Sequence, residues 1–339
     1  MGAIHFPSGT FPAAITEVVG YKSGLALSYE QILEHLENPE YVEIAMAGND
    51  GFVRVRSEVF EGIILGLLYK LGRVSSPEPI SPFISVFRKY KEDAQASEVA
   101  MQVMEMFGKF LRESVDKFRG DAKGMDPTPF LDEVLEEHGF LGAEIGIELC
   151  RLTNASVEAS PWSRIRSIEW KDITELEKLF ESESFSTNHG QFFDQRFIDY
   201  LHQNFGRIDE INWRQFEGLT AEFFIRMGFH VEIGPGRNDG GIDIRVWPTK
   251  EAASKPPAIL IQCKRQQKKI SKVVVKALYA DILDENADSG LIVTSSTLSP
   301  GAARVLTARS YPIDQANRET LKEWIAAMRV PGSGVFLGQ

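Results

Sequence analysis

Up to Gly206 the apolar positions recur mostly three and four apart, the spacing of helices with one buried face. Ser28 heads a predicted helix over residues 28–37 that carries Ile32, Leu33 and Leu36. A second, over 57–71, carries Val59, Phe60, Ile63, Ile64 and Leu67. Between them, residues 41–47 and 51–55 flank Gly48-Asn49-Asp50-Gly51, which predicts a hairpin. Residues 81–118 read as one long helix or two, with Phe83, Val86, Val99, Met101, Val103, Met104, Phe107 and Leu111 among the apolar positions. Residues 127–138 and 141–152 read as a helical pair broken at Gly139. The Ser-, Asn- and Pro-containing stretch 153–167 reads as a loop, and 173–180 and 191–205 as further helices.

After Gly206 the period changes. Asn212 caps a predicted helix through Met227, closed by Gly228, with Phe216, Leu219, Phe223 and Met227 on one face. Strands follow at 230–233, 240–247 and 258–264, the first two joined by a Gly-Pro-Gly turn and the last two by the polar loop 248–257. A helix over 270–285, a strand over 289–295 and a helix starting at 300 complete an α-β-β-β-α-β order. That order predicts a mixed sheet with helices packed against it. The expected organisation is a mainly α-helical domain over 1–205, divisible near the loop at 153–167. An α/β domain follows over 206–330, and then a Gly-rich tail over 331–339.

Composition sharpens this division. The chain has 339 residues, is 43% hydrophobic and 25% charged, and carries a net charge of −11. These values exclude a largely disordered or collagen-like chain. The charge is unevenly placed. From Arg207 onward lie 18 of the 37 Lys and Arg and 15 of the 48 Asp and Glu, which leaves that part at +3 and the remainder at −14. Two cysteines, Cys150 and Cys263, are too few for a disulfide framework, so a reducing cytoplasm is the expected compartment. The longest apolar run, near 62–69, is far short of a membrane span, and no membrane partner is expected.

The chemistry concentrates in the second half. Asp243 lies in the run GGIDIRVW, and Gln262 and Lys264 lie two apart in AILIQCKR. Residues i and i+2 share a face of a strand, so Ile259, Ile261 and Cys263 are expected to face the core on the other side. With the two strands paired, an Asp oxygen, a Gln amide oxygen and the backbone carbonyl of Cys263 make an all-oxygen site suited to Mg²⁺, with Mn²⁺ as the alternative. Lys264 is placed to hold or deprotonate an attacking water and to offset charge on a phosphate. Glu217 is placed to supply a further carboxylate, to the cation or to its water, with Glu222 a rival for that role. Arg265, Lys268, Lys269, Lys272 and Lys276 continue a run with no acid among them, the composition of a phosphate-contacting surface. No phosphate-cradling glycine motif of a nucleotide-hydrolysing enzyme occurs.

Phe216-Glu217, Met227-Gly228-Phe229, Asn238-Asp239-Gly240-Gly241-Ile242-Asp243, Gln262-Cys263-Lys264-Arg265 and the run 288–296 (DSGLIVTSS), taken in order, resemble the Mrr-type restriction endonuclease domain. That is a branch of the PD-(D/E)XK nuclease superfamily in which Gln takes the place of the second acidic residue. The resemblance covers about residues 212–309. It implies a restriction-endonuclease-like fold and metal-dependent hydrolysis of DNA, often foreign or modified DNA. It also implies Glu217, Asp243, Gln262 and Lys264 as the catalytic set. The expected activity is thus a Mg²⁺-dependent endodeoxyribonuclease of restriction or antiviral defence, working as a dimer or higher homo-oligomer because two strands need two sites. No basic recognition helix is visible in the acidic first half, which points there to oligomerisation, or to restraint lifted by a protein or small-molecule trigger. Two rivals are an effector nuclease silent until such a signal arrives, and a non-catalytic nucleic-acid-binding scaffold on a nuclease fold.

Overall fold

The computed structural model describes residues 2–118, 125–164, 172–181, 193–235 and 241–329. The chain divides into two compact units, one reaching to Thr174 and one starting at Glu175.

The first unit is built from helices α1 (Thr10–Ser23), α2 (Tyr29–His35), α3 (Pro39–Asp50), α4 (Ser57–Lys70), α5 (Pro82–Tyr90), α6 (Ala94–Phe118) and α7 (Thr128–Ala159). Strands β1 (Ala3–Phe6) and β3 (Val53–Arg56) pair antiparallel, and β2 (Leu25–Ala26) is a two-residue strand. Phe11, Ile15 and Val19 bring α1 into the core at four-residue spacing. Ser28 and Gln31 form a reciprocal capping box at the start of α2. Helices α5, α6 and α7 share a separate core around Val86, Val103, Phe107, Phe130, Val134, Ile145 and Leu149. Gly139, with φ 63° and ψ −156°, kinks α7 where the sequence pattern is broken.

Three expectations for this unit are corrected. The hairpin around Gly48 is the end of helix α3. Asn38 caps that helix through its side chain, Pro39 takes its first turn, and Gly48 lies against Phe11 so closely that a Cβ would come within 2.7 Å of it. The run 51–56 pairs instead with the N-terminal strand. Residues 153–159 are the last turns of α7 rather than loop. Glu158 is buried against Arg73 at 3.1 Å, and Lys22 donates to the Val157 carbonyl at 3.4 Å. These tertiary contacts hold a stretch whose composition alone favours a turn. Of 173–180, only residues from Lys178 onward are helical, and Thr174–Glu175 (β4) is extended.

The second unit contains α8 (Lys178–Glu181), α9 (Gln195–Gln203), α10 (Trp213–Arg226), α11 (Lys272–Glu285), α12 (Pro300–Arg309) and α13 (Arg318–Ala327). Its sheet runs β5 (His230–Ile233), β6 (Ile244–Trp247), β7 (Ile259–Lys264), β8 (Ser289–Thr294) and β9 (Ile313–Ala316), in that order. The first three strands are antiparallel neighbours, and β7, β8 and β9 run parallel. This is the mixed sheet expected. Helices α11 and α12 cover one face through Val275, Leu278, Ile282 and Ala302, packed with Leu260, Ile292 and Ile313. On α10, Thr220 meets the Cys263 thiol of β7 at 3.7 Å.

Strand β7 is therefore covered on both faces, as parallel neighbours require. The expectation of one apolar and one polar face fails at Leu260, which shares parity with Gln262 and is fully buried beneath α11. The unit also begins ahead of Gly206. Gln195 of α9 donates to the Met328 carbonyl after α13, and Arg226 joins both by binding Gln195 Oε1 at 3.0 Å. Residues 330–339 lie outside the described residues.

The contact of α3 with α1 sets a stability expectation. Alanine at position 48 gains roughly 1 kcal/mol of helix propensity. Its Cβ, however, meets the rigid base of a fully buried phenylalanine ring, and overpacking of that kind costs about 1–3 kcal/mol or more. Gly48→Ala should therefore lower the denaturation midpoint of the first unit followed by circular dichroism. A raised midpoint would show that α3 does not press on Phe11.

Candidate active site

The site lies where α10 meets the ends of β5, β6 and β7. Asn212 and Gln215 form a capping box that fixes the start of α10. One turn later the helix presents Glu217, which is 4% exposed. Asp243, just before β6, is 7% exposed, and Gln262 in β7 is 6% exposed. Charged and amide groups are this buried only when something holds them.

Backbone geometry holds Asp243. Its N–H donates to the Ile261 carbonyl at 3.0 Å, although Ile244 is the residue in register with Ile261. Regular pairing is thus broken at Asp243, a local irregularity that re-aims one side chain. Its carbonyl accepts from the Gly234 N–H at 2.8 Å. Its carboxylate Oδ2 accepts from the backbone N–H of Cys263 at 2.6 Å. The backbone of Cys263, whose carbonyl was expected to serve the site, is thereby tied to Asp243.

Glu217 stands next to Asp243. Burial first, and then the neighbouring Asp243 charge, together push its carboxyl group up to about 7, against an opposing ion pair with Arg214. The Arg214 guanidinium nitrogen that binds Glu217 Oε2 at 2.9 Å also donates to the Gly234 carbonyl at 2.8 Å. Gln262 Nε2 donates to the Gly241 carbonyl at 2.8 Å, and the bare Cα of Gly241, at φ 97°, makes room for that amide. Gln262 Oε1 is then left buried without a hydrogen-bond partner among the described residues. Such atoms are rare in folded proteins and point to a missing ion or water.

This donor set fits a hard divalent cation. Two adjacent carboxyl groups and an unspent amide oxygen from the neighbouring strand make an all-oxygen set, and the mutual repulsion of the acids would be relieved by positive charge between them. Among the described residues no group of three His, Cys, Asp or Glu side chains gathers as a metal site, so the amide oxygen is essential to the fit. The Cys263 thiol is fully buried, and burial followed by the Asp243 charge raises it well above its ordinary range. It is a neutral packing group, not a nucleophile.

Lys264 follows on β7, half-buried, and its ammonium makes no ion pair among the described residues. Glu222 is not a competitor for the Glu217 position. It is buried in an ion pair with Arg226 at 2.8 Å, on the side that joins α9 and α13. Arg265 donates to the Asp209 carbonyl at 2.6 Å. Lys268, Lys269, Lys272 and Lys276 are exposed, but α11 begins only at Lys272, so Lys268 is in the preceding loop rather than on a shared helical face. Asn238, Asp239 and Gly240 lie outside the described residues. The residue that the sequence reading missed is Arg214. Its signal was present, three positions before Glu217 on the same helix face.

Sheet order, capped helix and acid–amide cluster together define a restriction-endonuclease-like domain. Residues 208–325 match the family described as restriction endonuclease (Mrr_cat). The uncharacterized protein y4cE of Sinorhizobium fredii (strain NBRC 101917 / NGR234) is 30% identical over 100 residues, which are 30% of this chain and 26% of that protein. The solved MspJI restriction endonuclease in complex with a 27-mer oligonucleotide is similar over 50% of this chain and 37% of that chain, at 18% identity and a TM-score of 0.30. This chain thus matches well under half the length of either.

The acid pair has a pH signature. Glu217 holds its proton more tightly in the folded state, so its stabilising contribution is complete below its ordinary value of 4.5 and is lost as pH rises through about 7. In EDTA, Glu217→Gln should match the wild type near pH 4.5 and exceed it in stability at pH 8, by on the order of 1–3 kcal/mol. Arg214→Ala, which removes the opposing charge, should steepen the loss between pH 5 and 8. Parallel pH profiles of midpoint for all three proteins would contradict the acid pairing.

Proposed function

We propose that the chain is a divalent-cation-dependent endonuclease that hydrolyses DNA phosphodiester bonds in restriction or antiviral defence in the cytoplasm. The observation that carries this reading is the orphaned Gln262 Oε1, in β7 next to the Cys263 N–H that holds Asp243, with Glu217 beside that acid, in a restriction-endonuclease-like domain. Asp243, Gln262 and the backbone carbonyl of Cys263 would hold Mg²⁺ or Mn²⁺, with Glu217 binding it directly or through water. Such a cation supplies Lewis acidity at the phosphate and a more acidic water.

The chain's own groups do the rest. Lys264 extends from the strand that carries Gln262, where its ammonium orients the attacking water and offsets charge on the phosphate oxygens. Water adds to phosphorus as one P–O ester bond breaks, and the departing oxygen takes up a proton. Arg265 and the exposed Lys268, Lys269, Lys272 and Lys276 provide backbone contacts that carry affinity without base specificity. Cutting both strands calls for a second copy of the site, hence a homodimer or larger assembly. The acidic first unit serves regulation or assembly.

Supported by purified protein alone, the test is cleavage of supercoiled plasmid. Wild type with Mg²⁺ should nick or linearise it, while EDTA, Asp243→Ala or Lys264→Ala should reduce the rate by at least about 10³-fold, the scale of losing a principal electrostatic or acid–base group. Cleavage that persists in Asp243→Ala, or in EDTA, would overturn the assignment.

A further inference from the structure

The first unit contains a cavity of about 230 Å³ between α4 and the junction of α2 with α3. It is lined by Gly62 and Gly66 of α4, one turn apart, with the Tyr41 side chain over Gly62 and open space at Gly66, and by Tyr69. Lys70, Glu37, Asn38 and the buried His35 also line it.

The two glycines have different reasons to be there. Glycine inside a helix costs roughly 1 kcal/mol relative to alanine. At position 62 packing explains it, because a Cβ would come within 2.3 Å of the Tyr41 hydroxyl. At position 66 no atom lies within 4 Å of where a Cβ would be. Nothing in the protein needs that glycine, and the space it leaves is part of the cavity.

The lining specifies a ligand chemistry. Bare glycine backbone beside phenol rings suits a planar aromatic ring, which stacks on such rings. Lys70 suits an anion. Lys70 is paired with Glu37, but Glu37 is 73% exposed and such a pair is worth little, so an incoming anion displaces it at small cost. The N-terminus of α3, capped by Asn38, adds its positive end to the same lining. The volume falls below the range of drug-sized pockets, so the occupant is small.

We propose that this cavity binds a planar aromatic group of nucleobase or indole size bearing a phosphate or carboxylate, held by Tyr41, Tyr69 and Lys70 beside Gly66. This rests on the first unit alone and is independent of the nuclease reading.

The test is calorimetric titration of the full chain with adenosine 5′-monophosphate, indole-3-carboxylate, adenosine and inorganic phosphate. At least one of the two aromatic anions should bind, tenfold or more tightly than adenosine or phosphate alone. Tighter binding of the nucleotide assigns the phosphate source, and of the indole acid the carboxylate source. Gly66→Leu fills open space, so it should keep the fold by circular dichroism and abolish binding. Lys70→Gln should weaken the aromatic anion tenfold or more while leaving adenosine unchanged. No binding of either aromatic anion by wild type overturns the proposal, as does unaltered binding by Lys70→Gln, a variant that remains decisive should Gly66→Leu misfold.

Discussion

Asp243 is the point on which the second unit's site turns. Its N–H reaches β7, its carbonyl reaches the residue after β5, and its carboxylate takes the Cys263 N–H at 2.6 Å. Three strands are thus joined through one residue, and the join is possible only because regular pairing gives way there. A side chain held by backbone donors on a sheet cannot drift with a loop, which is the condition for placing a reactive carboxylate to within a fraction of an ångström. The same bonds help hold a charged group at 7% exposure.

That placement has a cost, and its location identifies the site. Glu217 shares the pocket with Asp243, is kept protonated up to about pH 7 by burial and by that neighbour, and is only partly compensated by Arg214. Gln262 spends its amide N–H on Gly241 and leaves its oxygen unpaired. A core selected only for stability would replace these three groups with apolar ones of similar size, since breaking even on buried charge is hard. By contrast, the buried Glu222–Arg226 pair is completed by Gln195 and the Met328 carbonyl, and it is structural. Unresolved electrostatic strain at Glu217 and full satisfaction at Glu222 separate two acids five positions apart on one helix.

The second unit was largely legible in the chain because its signals are local. Asn212 with Gln215 marks a helix start, Gly228 follows its end, and Gln262 and Lys264 stand in a short apolar strand. The broken pairing at Asp243 and the Gly241 carbonyl under Gln262 were not legible in the same way, because each depends on where a second strand arrives. In the first unit the same limit produced errors. Gly48-Asn49-Asp50-Gly51 has the composition of a turn, and only the close approach of Phe11 makes Gly48 a helix contact. Residues 153–159 look like a loop until Arg73 and Lys22 are brought to Glu158 and Val157 from far along the chain. Helix α1 was not anticipated at all, although Phe11, Ile15 and Val19 stand four apart along it.

On the proposed reading, the distribution of charge divides the labour between the two units. Exposed lysines at 268, 269, 272 and 276 can hold a phosphate backbone, yet point charges on flexible stems read no bases. Nothing else in the described part of the second unit offers a helix of clustered bases for a groove. Affinity without discrimination is hazardous in a compartment that holds the cell's own DNA, so selectivity has to come from elsewhere. The first unit is strongly acidic, which disfavours direct DNA contact, and it carries a small cavity with an unexplained glycine in its lining. A module that avoids DNA but accepts a small anion is suited to reporting a condition rather than a sequence. Control of such a nuclease would then lie in when it acts, with the choice of site left to the geometry of the assembled dimer.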